Sequence, residues 1–299
     1  MKEHAETVVS NLQPNKVKPL QSLLALKKDK NSDNFWHLLN QIEEGCPILK
    51  GNAKRLALFF YIIEILRSND ILFYVKGGIT LQYYLKEHAR VTNDIDLLIP
   101  SNSLEFYEKA KEALKNNKYG LDIELSDFRK EEADQTYYYD TFFMMVKVSY
   151  RGELIDTFSL EGTCEQFFYD IEPVIYPGPS FIKEDFTFLG VPLEFTLADK
   201  ILAITSEQVR PYRHLIDTYS IINIADIDID LVKKYLSILL EKENRIRDKY
   251  GIDHSNYIFE INKDKKFAKN FAYPRMQAGY KETFLEMVDI VNKWMKNNL

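Results

Sequence analysis

The stretch from Phe73 to Pro100 constrains the possible fold more than any other part of the chain. An apolar run, Ile71 to Val75, leads into the glycine pair Gly77-Gly78, and residues 79–88 then carry apolar side chains at helical spacing. This order predicts a buried strand, a glycine turn and a short helix. Glycines at such a turn let the backbone approach a ligand closely, and free amides at the helix start can face a phosphate.

Two carboxylates follow this helix on a second apolar run. Asp94 and Asp96 lie two positions apart in the segment 94–99, and on a strand that spacing puts both on one face. Carboxylates held side by side repel each other and favour a hard divalent cation, which binds oxygen ligands together with substrate phosphates. The pattern predicts metal-assisted phosphoryl or nucleotidyl transfer. The alternative, in which Asp94 caps the strand and Asp96 faces water, is weakened by the preceding glycine turn.

Two blocks of the sequence resemble the AbiEii/AbiGii toxin family, a branch of the polymerase-beta-like nucleotidyltransferases. The first block reads Lys-Gly-Gly from Lys76 and Arg-x-Thr-x-Asp-Ile-Asp-Leu from Arg90. The second has Lys200 within Thr-Leu-Ala-Asp-Lys-Ile and Asp217 within Arg-His-Leu-Ile-Asp-Thr-Tyr. One departure is that the hydroxyl residue after the glycine pair stands one place later than usual, at Thr80.

This resemblance implies both a fold and a set of site residues. The fold is α+β, with a nucleotidyltransferase core of mixed sheet and flanking helices followed by a mainly helical C-terminal domain. Asp94 and Asp96 are implied as catalytic metal ligands, and Asp217 is implied as a further catalytic residue. The residues implied in nucleotide binding are Lys76, Gly77, Gly78, Thr80, Arg90, Thr92, Lys200 and Arg213.

A third carboxylate is expected on a neighbouring strand, as in related nucleotidyltransferases. We predict Asp156, which lies between apolar neighbours, because an acid in such a place needs a metal, a cation or an open cleft. Asp140 and Glu153 are the rivals for this role. An edge-of-sheet position without any function is the structural alternative.

Local physical chemistry adds an expectation for the second block. Thr196 and Asp199 resemble a helix-capping pair, which places Lys200 in the first turns of a helix. A lysine there opposes the helix dipole, so an external anion such as triphosphate is the expected partner. Asp217 lies one turn beyond Arg213, and an intrahelical ion pair is the alternative to an active-site role.

The reaction implied by the resemblance is transfer of a nucleoside monophosphate from a nucleoside triphosphate (NTP), with pyrophosphate leaving. Magnesium, or manganese in its place, is the implied metal, held by Asp94, Asp96 and Asp156. The 3′ end of tRNA is the expected acceptor and a cognate antitoxin the expected protein partner. Two alternatives stay open: an antibiotic-type small-molecule nucleotidyltransferase and a nucleotide-binding module without transfer activity.

Composition is consistent with a cytoplasmic enzyme. The chain has 299 residues, of which 45% are hydrophobic, and a net charge of −6 that argues against a general nucleic-acid coat. It shows no secretory signal and no apolar run long enough to span a membrane, and Cys46 and Cys164 lack partners at metal-binding spacing. We predict a helical extension at 1–50, the nucleotidyltransferase core at 51–195 and a helical domain at 196–299.

Lysines and aromatic residues alternate between Lys263 and Lys281. Such a segment can follow an RNA backbone and stack on bases, although a solvated helix face is the simpler interpretation.

A second Asp-x-Asp pattern, Asp226-Ile-Asp228-Ile-Asp230, has the same spacing as the first. It has no glycine turn before it, and a predicted helix follows. We therefore predict a structural role, with Asp230 capping that helix.

Overall fold

A seven-stranded mixed sheet organises the protein in the computed structural model. The structure describes residues 20, 23–24, 26, 35–45, 52–100, 102–131, 140–205, 212–251, 259–261, 263 and 271–299. The helices are α1 (Phe35–Gly45), α2 (Asn52–Ser68), α3 (Gly78–Leu85), α4 (Ser103–Lys115), α5 (Leu193–Thr205), α6 (Tyr212–Ile224), α7 (Ile229–Lys249), α8 (Ala272–Ala278) and α9 (Phe284–Asn298). The strands are β1 (Tyr74–Lys76), β2 (Asp94–Ile99), β3 (Asp122–Glu131), β4 (Thr141–Tyr150), β5 (Glu153–Cys164), β6 (Val174–Pro177) and β7 (Thr187–Gly190).

The strands follow the order β3-β4-β5-β2-β1-β7-β6 across the sheet. Strand β2 runs parallel to β5 and antiparallel to β1, while β1 runs parallel to β7. The remaining neighbours are antiparallel. With C-terminal helices following this sheet, the predicted α+β class is confirmed.

The sheet separates two hydrophobic cores. On one side, Ile95 and Leu97 of β2 join a core that includes α1, α2 and α4. On the other side, Leu98 joins a core built largely from α5, α6, α7 and α9. Since side chains alternate along a strand, Asp94 and Asp96 share the face of Leu98. Both acids therefore lie between the sheet and the C-terminal helices.

Helix α5 begins earlier than the sequence predicted. It starts at Leu193, directly after Pro192, so Thr196 lies inside the first turn and its hydroxyl donates to the carbonyl of Pro192 at 3.3 Å. The predicted capping role of Thr196 is therefore wrong. The predicted domain limits at 50/51 and 195/196 stay predictions, although the second falls within this helix. None of the helices in the described part of the chain combines the length and apolar character needed to cross a membrane.

Candidate active site

Three carboxylates from two adjacent strands meet on the sheet face that looks toward the C-terminal helices. Asp94 and Asp96 come from β2, and Glu161 of β5 is the direct register partner of Asp96. One carboxylate oxygen from each of the three residues lies within 4.8 Å of the others. All three side chains are half-buried. The predicted placement of Asp94 and Asp96 together on one face is what the structure shows.

The third carboxylate of this cluster is Glu161, whereas the sequence predicted Asp156. The two residues lie five positions apart on β5, and an odd separation along a strand turns side chains to opposite faces. Asp156 consequently faces α2, where Arg55 donates to its two oxygens at 2.7 and 2.9 Å. The placement of Asp156 as a metal ligand is therefore wrong. Neither rival is a member of the cluster: Asp140 precedes β4, and Glu153 is exposed at the start of β5.

The glycine turn makes room for the acids. Gly77 has a positive φ of 70°, and a Cβ atom there would stand 2.1 Å from Oδ2 of Asp96. A Cβ atom on Gly78 would stand 2.3 Å from Oγ1 of Thr92. The sequence predicted glycines for close approach to a ligand, but in the structure they admit side chains of the site itself. Gly77 also lines the pocket beside the acids.

Two predicted hydroxyl contacts are directed elsewhere. The Thr92 hydroxyl donates to Oδ1 of Asp94 at 3.0 Å, which orients that carboxylate. The Thr80 hydroxyl donates to the carbonyl of Gly77 at 3.1 Å, and its side chain is buried. Thr80 therefore stabilises the helix start, while Thr92 acts through Asp94.

A buried ion cluster lies close to the acids, and two of its members, Arg90 and Lys200, line the same pocket. Lys200 of α5 donates to Asp217 of α6 at 2.8 Å, and Nε of Arg90 donates to both oxygens of Asp217 at 3.0 and 3.1 Å. The side chains of Lys200 and Asp217 are 4% and 2% exposed. Burial alone would raise the pKa of Asp217, but Arg90 and Lys200 hold it below its ordinary value. Asp217 thus stays ionised and fixes two cations at the site.

This cluster revises the roles predicted for the second block. The sequence predicted an external anion as the partner of Lys200, whereas in the structure Lys200 pairs with Asp217 of the protein itself. Asp217 is one member of the cluster that ties α5, α6 and the segment before β2 together, so it positions other groups. Arg213 does not pair with Asp217; its Nη1 lies 3.8 Å from Oδ2 of Asp94, with the side chain 48% exposed.

His214 completes the cationic side as an uncharged group. Burial, followed by the charges of Lys200, Arg213 and other nearby cations, lowers its pKa well below the ordinary value. Its Nδ1 lies 3.2 Å from Nζ of Lys200. An ammonium group can only donate, so Nδ1 accepts and the ring proton resides on Nε2. His214 therefore lines the site without adding charge.

The acids and the cationic side chains near them line one pocket of about 430 Å³. Of the residues predicted from sequence, the pocket is lined by Lys76, Gly77, Arg90, Asp94, Asp96, Lys200 and Arg213. Four other predicted residues contact the lining residues or their neighbours in the ways described above: Gly78, Thr80, Thr92 and Asp217. Residues that sequence analysis missed also line it, among them Arg129, Thr141, Phe143, Glu161, Phe195, Asp199 and His214. Alternation on β5 could have pointed to Glu161, whereas Arg129 and Phe143 depend on strand register, which the sequence does not display.

The charges fit a divalent cation bound between the carboxylates. Burial and then the negative charge of Asp94 raise the pKa of Asp96 to about 7, with Glu161 adding to the effect and Lys76 opposing it. Three convergent carboxylates supply the oxygen ligands that hard cations take. A cation would relieve their repulsion, so the donor set fits magnesium or manganese.

The basic aromatic segment lies mostly outside the described residues, including Lys265, Lys266 and Lys269. Its predicted role in RNA binding stays a prediction.

Comparison with known proteins identifies the family of this chain. Residues 65–295 match the family model described as nucleotidyl transferase AbiEii toxin, type IV toxin–antitoxin system. No curated protein matches the chain. A solved structure, an antigenic nucleotidyltransferase-like protein from Paracoccidioides brasiliensis, covers 68% of this chain and 95% of its own, with 16% identity and a TM-score of 0.39. The family match spans both sequence blocks and most of the chain, and it confirms the resemblance on which the sequence analysis depended. The protein belongs to the AbiEii family of nucleotidyltransferase toxins.

Proposed function

We propose that this protein transfers a nucleoside monophosphate from an NTP to the terminal hydroxyl of an RNA, with the 3′ end of tRNA as the leading acceptor. One observation carries the proposal. Three convergent carboxylates line a single pocket together with the cationic side chains of Lys76, Arg90, Lys200 and Arg213. That arrangement suits a triphosphate bound through a divalent cation, since the acids hold the metal and the cations neutralise the phosphates.

The cationic side binds and orients the donor triphosphate. Lys76 lies directly across from Asp96 in the β1–β2 register, while Arg90 and Lys200 are held in place by Asp217. Arg213 is the most exposed of the four, so it can reorient toward a bound nucleotide. Charge-assisted hydrogen bonds from these groups favour an anion over neutral ligands of the same size.

The acidic side binds the metal and receives a proton. A bound divalent cation would withdraw charge from the reacting phosphate and lower the pKa of the attacking hydroxyl. The acceptor oxygen forms a bond to the α-phosphorus as the bond to the β-phosphate oxygen breaks, and pyrophosphate leaves. A carboxylate oxygen of Glu161 accepts the hydroxyl proton, because Glu161 stands on the side of the cluster away from Lys76.

The test is incubation of the protein with each labelled NTP, magnesium and total tRNA. We expect label on tRNA from at least one NTP, and no label after Asp96→Asn or in excess EDTA. Label on a small acceptor instead of tRNA would favour the antibiotic-type reaction. Binding of NTP without any transfer would leave only a nucleotide-binding module.

The family also supports a toxin role in the cytoplasm, restrained by a cognate antitoxin. Expression of the chain alone should slow bacterial growth, and expression of Asp96→Asn should not. Equal growth with both would contradict the toxin role while leaving the transfer reaction open to the labelling test.

A further inference from the structure

Five strands contribute one residue each to a straight row across the floor of the pocket. Each residue of the row is the direct register partner of the next. In order from β1 through β2, β5 and β4 to β3, the row reads Lys76, Asp96, Glu161, Phe143 and Arg129. Direct partners project from the same face of a sheet, and all five line the pocket. The row therefore passes from a cation, through the carboxylates, to an aromatic ring and a second cation.

Phe143 and Arg129 form an unusual end for this row. Phe143 is only half-buried, although it is a large apolar side chain inside a polar pocket. The guanidinium carbon of Arg129, an exposed residue, lies 5.7 Å from the ring centroid of Phe143. Strand spacing puts the Phe143 position about 10 Å from that of Asp96. An accessible ring beside a cation offers a stacking surface and a phosphate contact at a fixed distance from the metal ligands.

A bulge in β3 is what brings Arg129 into the row. The β3–β4 register shifts between Ser126 and Arg129, and Asp127 has a positive φ of 53°. Without the extra residue, Phe128 would take the place opposite Phe143. Instead Phe128 stacks on Tyr107 of α4, on the other face of the sheet, with ring centroids 4.6 Å apart. Bulges beside functional sites commonly redirect a side chain in this way.

We propose that Phe143 and Arg129 form the acceptor subsite, which binds the last unpaired nucleotide of a single-stranded RNA end. Phe143 stacks on the base, and Arg129 pairs with the phosphate on its 5′ side. This inference rests on the proposed transfer reaction, because it assigns the triphosphate to the opposite, cation-rich end of the pocket. Glu161 lies between the two ends, next to Phe143 in the register. The terminal hydroxyl of a stacked nucleotide would therefore meet the carboxylate that receives its proton.

The test measures binding of a fluorescein-labelled single-stranded RNA ending in CCA to the full chain, with no NTP present. We expect Phe143→Leu to weaken binding by roughly tenfold, the effect of removing one stacked base. Phe143→Trp should retain binding, since the stacking surface is kept. Arg129→Gln should weaken binding and lower the slope of log affinity against log salt by about 0.7, the value of one phosphate contact.

The controls are an exposed aromatic residue and an exposed arginine outside the pocket. Tyr169→Leu and Arg245→Gln should bind the RNA like the unaltered protein. The rise in melting temperature given by NTP and magnesium should be the same in all five variants. RNA affinity within twofold of the unaltered protein in both Phe143→Leu and Arg129→Gln would overturn the inference. Absence of RNA binding by the unaltered protein would also overturn it. The same holds if Phe143→Leu keeps its RNA affinity but loses the NTP-dependent rise in melting temperature, because the ring would then stack on the base of the donor NTP.

Nucleotide transfer separates this inference from the proposed function. RNA binding that depends on Phe143, without any transfer of label, would refute the reaction and retain the subsite. Transfer to tRNA whose acceptor KM is unchanged in Phe143→Leu would retain the reaction and refute the subsite.

Discussion

Two segments of the chain carry the tripeptide Asp-Ile-Asp, one at 94–96 and one at 226–230 where it occurs twice in overlap, and the structure gives them different surroundings. Asp94 and Asp96 project from a central strand toward a third carboxylate and a lysine on the strands beside it. Asp226 and Asp228 are exposed on the segment that leads into α7. Oδ1 of Asp228 accepts hydrogen bonds from the backbone amides of Asp230 and Leu231, at 3.0 and 3.1 Å. The spacing is shared, so the chemistry depends on what lies across the sheet.

The largest difference between the two segments is expected in transfer activity. Asp96→Asn should lower the rate by at least roughly a hundredfold, because a metal ion supplies several kcal/mol of transition-state stabilisation. Asp226→Asn, the same change in the same tripeptide, should leave the rate unchanged. The measurement is label transferred from NTP to tRNA under single-turnover conditions. Comparable losses in both variants would remove the distinction.

Much of this distinction could be predicted from the sequence. The glycine pair before Asp94, and its absence before Asp226, separated the two segments, and both sequence blocks lie in the region that matches the family. The predicted strand from Asp94 is also confirmed. These features depend on local patterns of apolar residues and turns, which a linear sequence displays directly.

Sequence analysis failed where contacts depend on long-range register. The third carboxylate required knowing which residue of β5 pairs with Asp96, and a choice five positions away put Asp156 on the wrong face. Arg129 could not be predicted because a bulge shifts β3 by one residue. The capping residue of α7 was also predicted two positions late, at Asp230, because helix boundaries vary by that much around an Asp-rich start.

The second prediction asks whether the neighbour across the sheet defines the site. Glu161→Gln should lower transfer by roughly tenfold to a hundredfold, since it removes a charge from the metal site and the group that accepts a proton. Asp156→Asn should leave transfer unchanged and weaken only the pairing with Arg55, costing about 1 kcal/mol of stability. Single-turnover rates and urea denaturation measure the two effects. The reverse pattern of rates would restore Asp156 to the site.

The third prediction concerns pH and the metal-free protein. The pKa of Asp96 is raised to about 7 in the folded state, so the folded protein binds a proton more tightly than the unfolded chain does. Its contribution to stability is present at low pH and is lost as pH rises from about 4 to about 7. The side chain introduced by Asp96→Asn cannot ionise. As pH rises through this range, the free energy of unfolding of the variant should therefore increase relative to that of the unaltered protein, by on the order of 1 kcal/mol or more.

Urea denaturation in EDTA at pH 4.5 and at pH 7.5 checks this prediction. The stability of Asp226→Asn relative to the unaltered protein should change little over the same range, because Asp226 is exposed. The contrary result is a difference in unfolding free energy between Asp96→Asn and the unaltered protein that stays constant with pH. It would show that Asp96 is ionised throughout the range, and that the repulsion within the cluster is weaker than its geometry indicates.

The smallest expected effect lies in the second segment. Asp228 caps α7, so Asp228→Ala should lower the free energy of unfolding by about 1 kcal/mol, while Asp228→Ser, which keeps an acceptor oxygen, should restore most of the loss. Transfer to tRNA should be unchanged in both variants, because the cap lies outside the residues that line the pocket. Urea denaturation with Asp226→Ala as the matched control isolates the cap from a simple loss of negative charge. A loss of transfer in Asp228→Ala that Asp228→Ser does not repair would mean that the second tripeptide also contributes to catalysis, and the separation between the two segments would no longer hold.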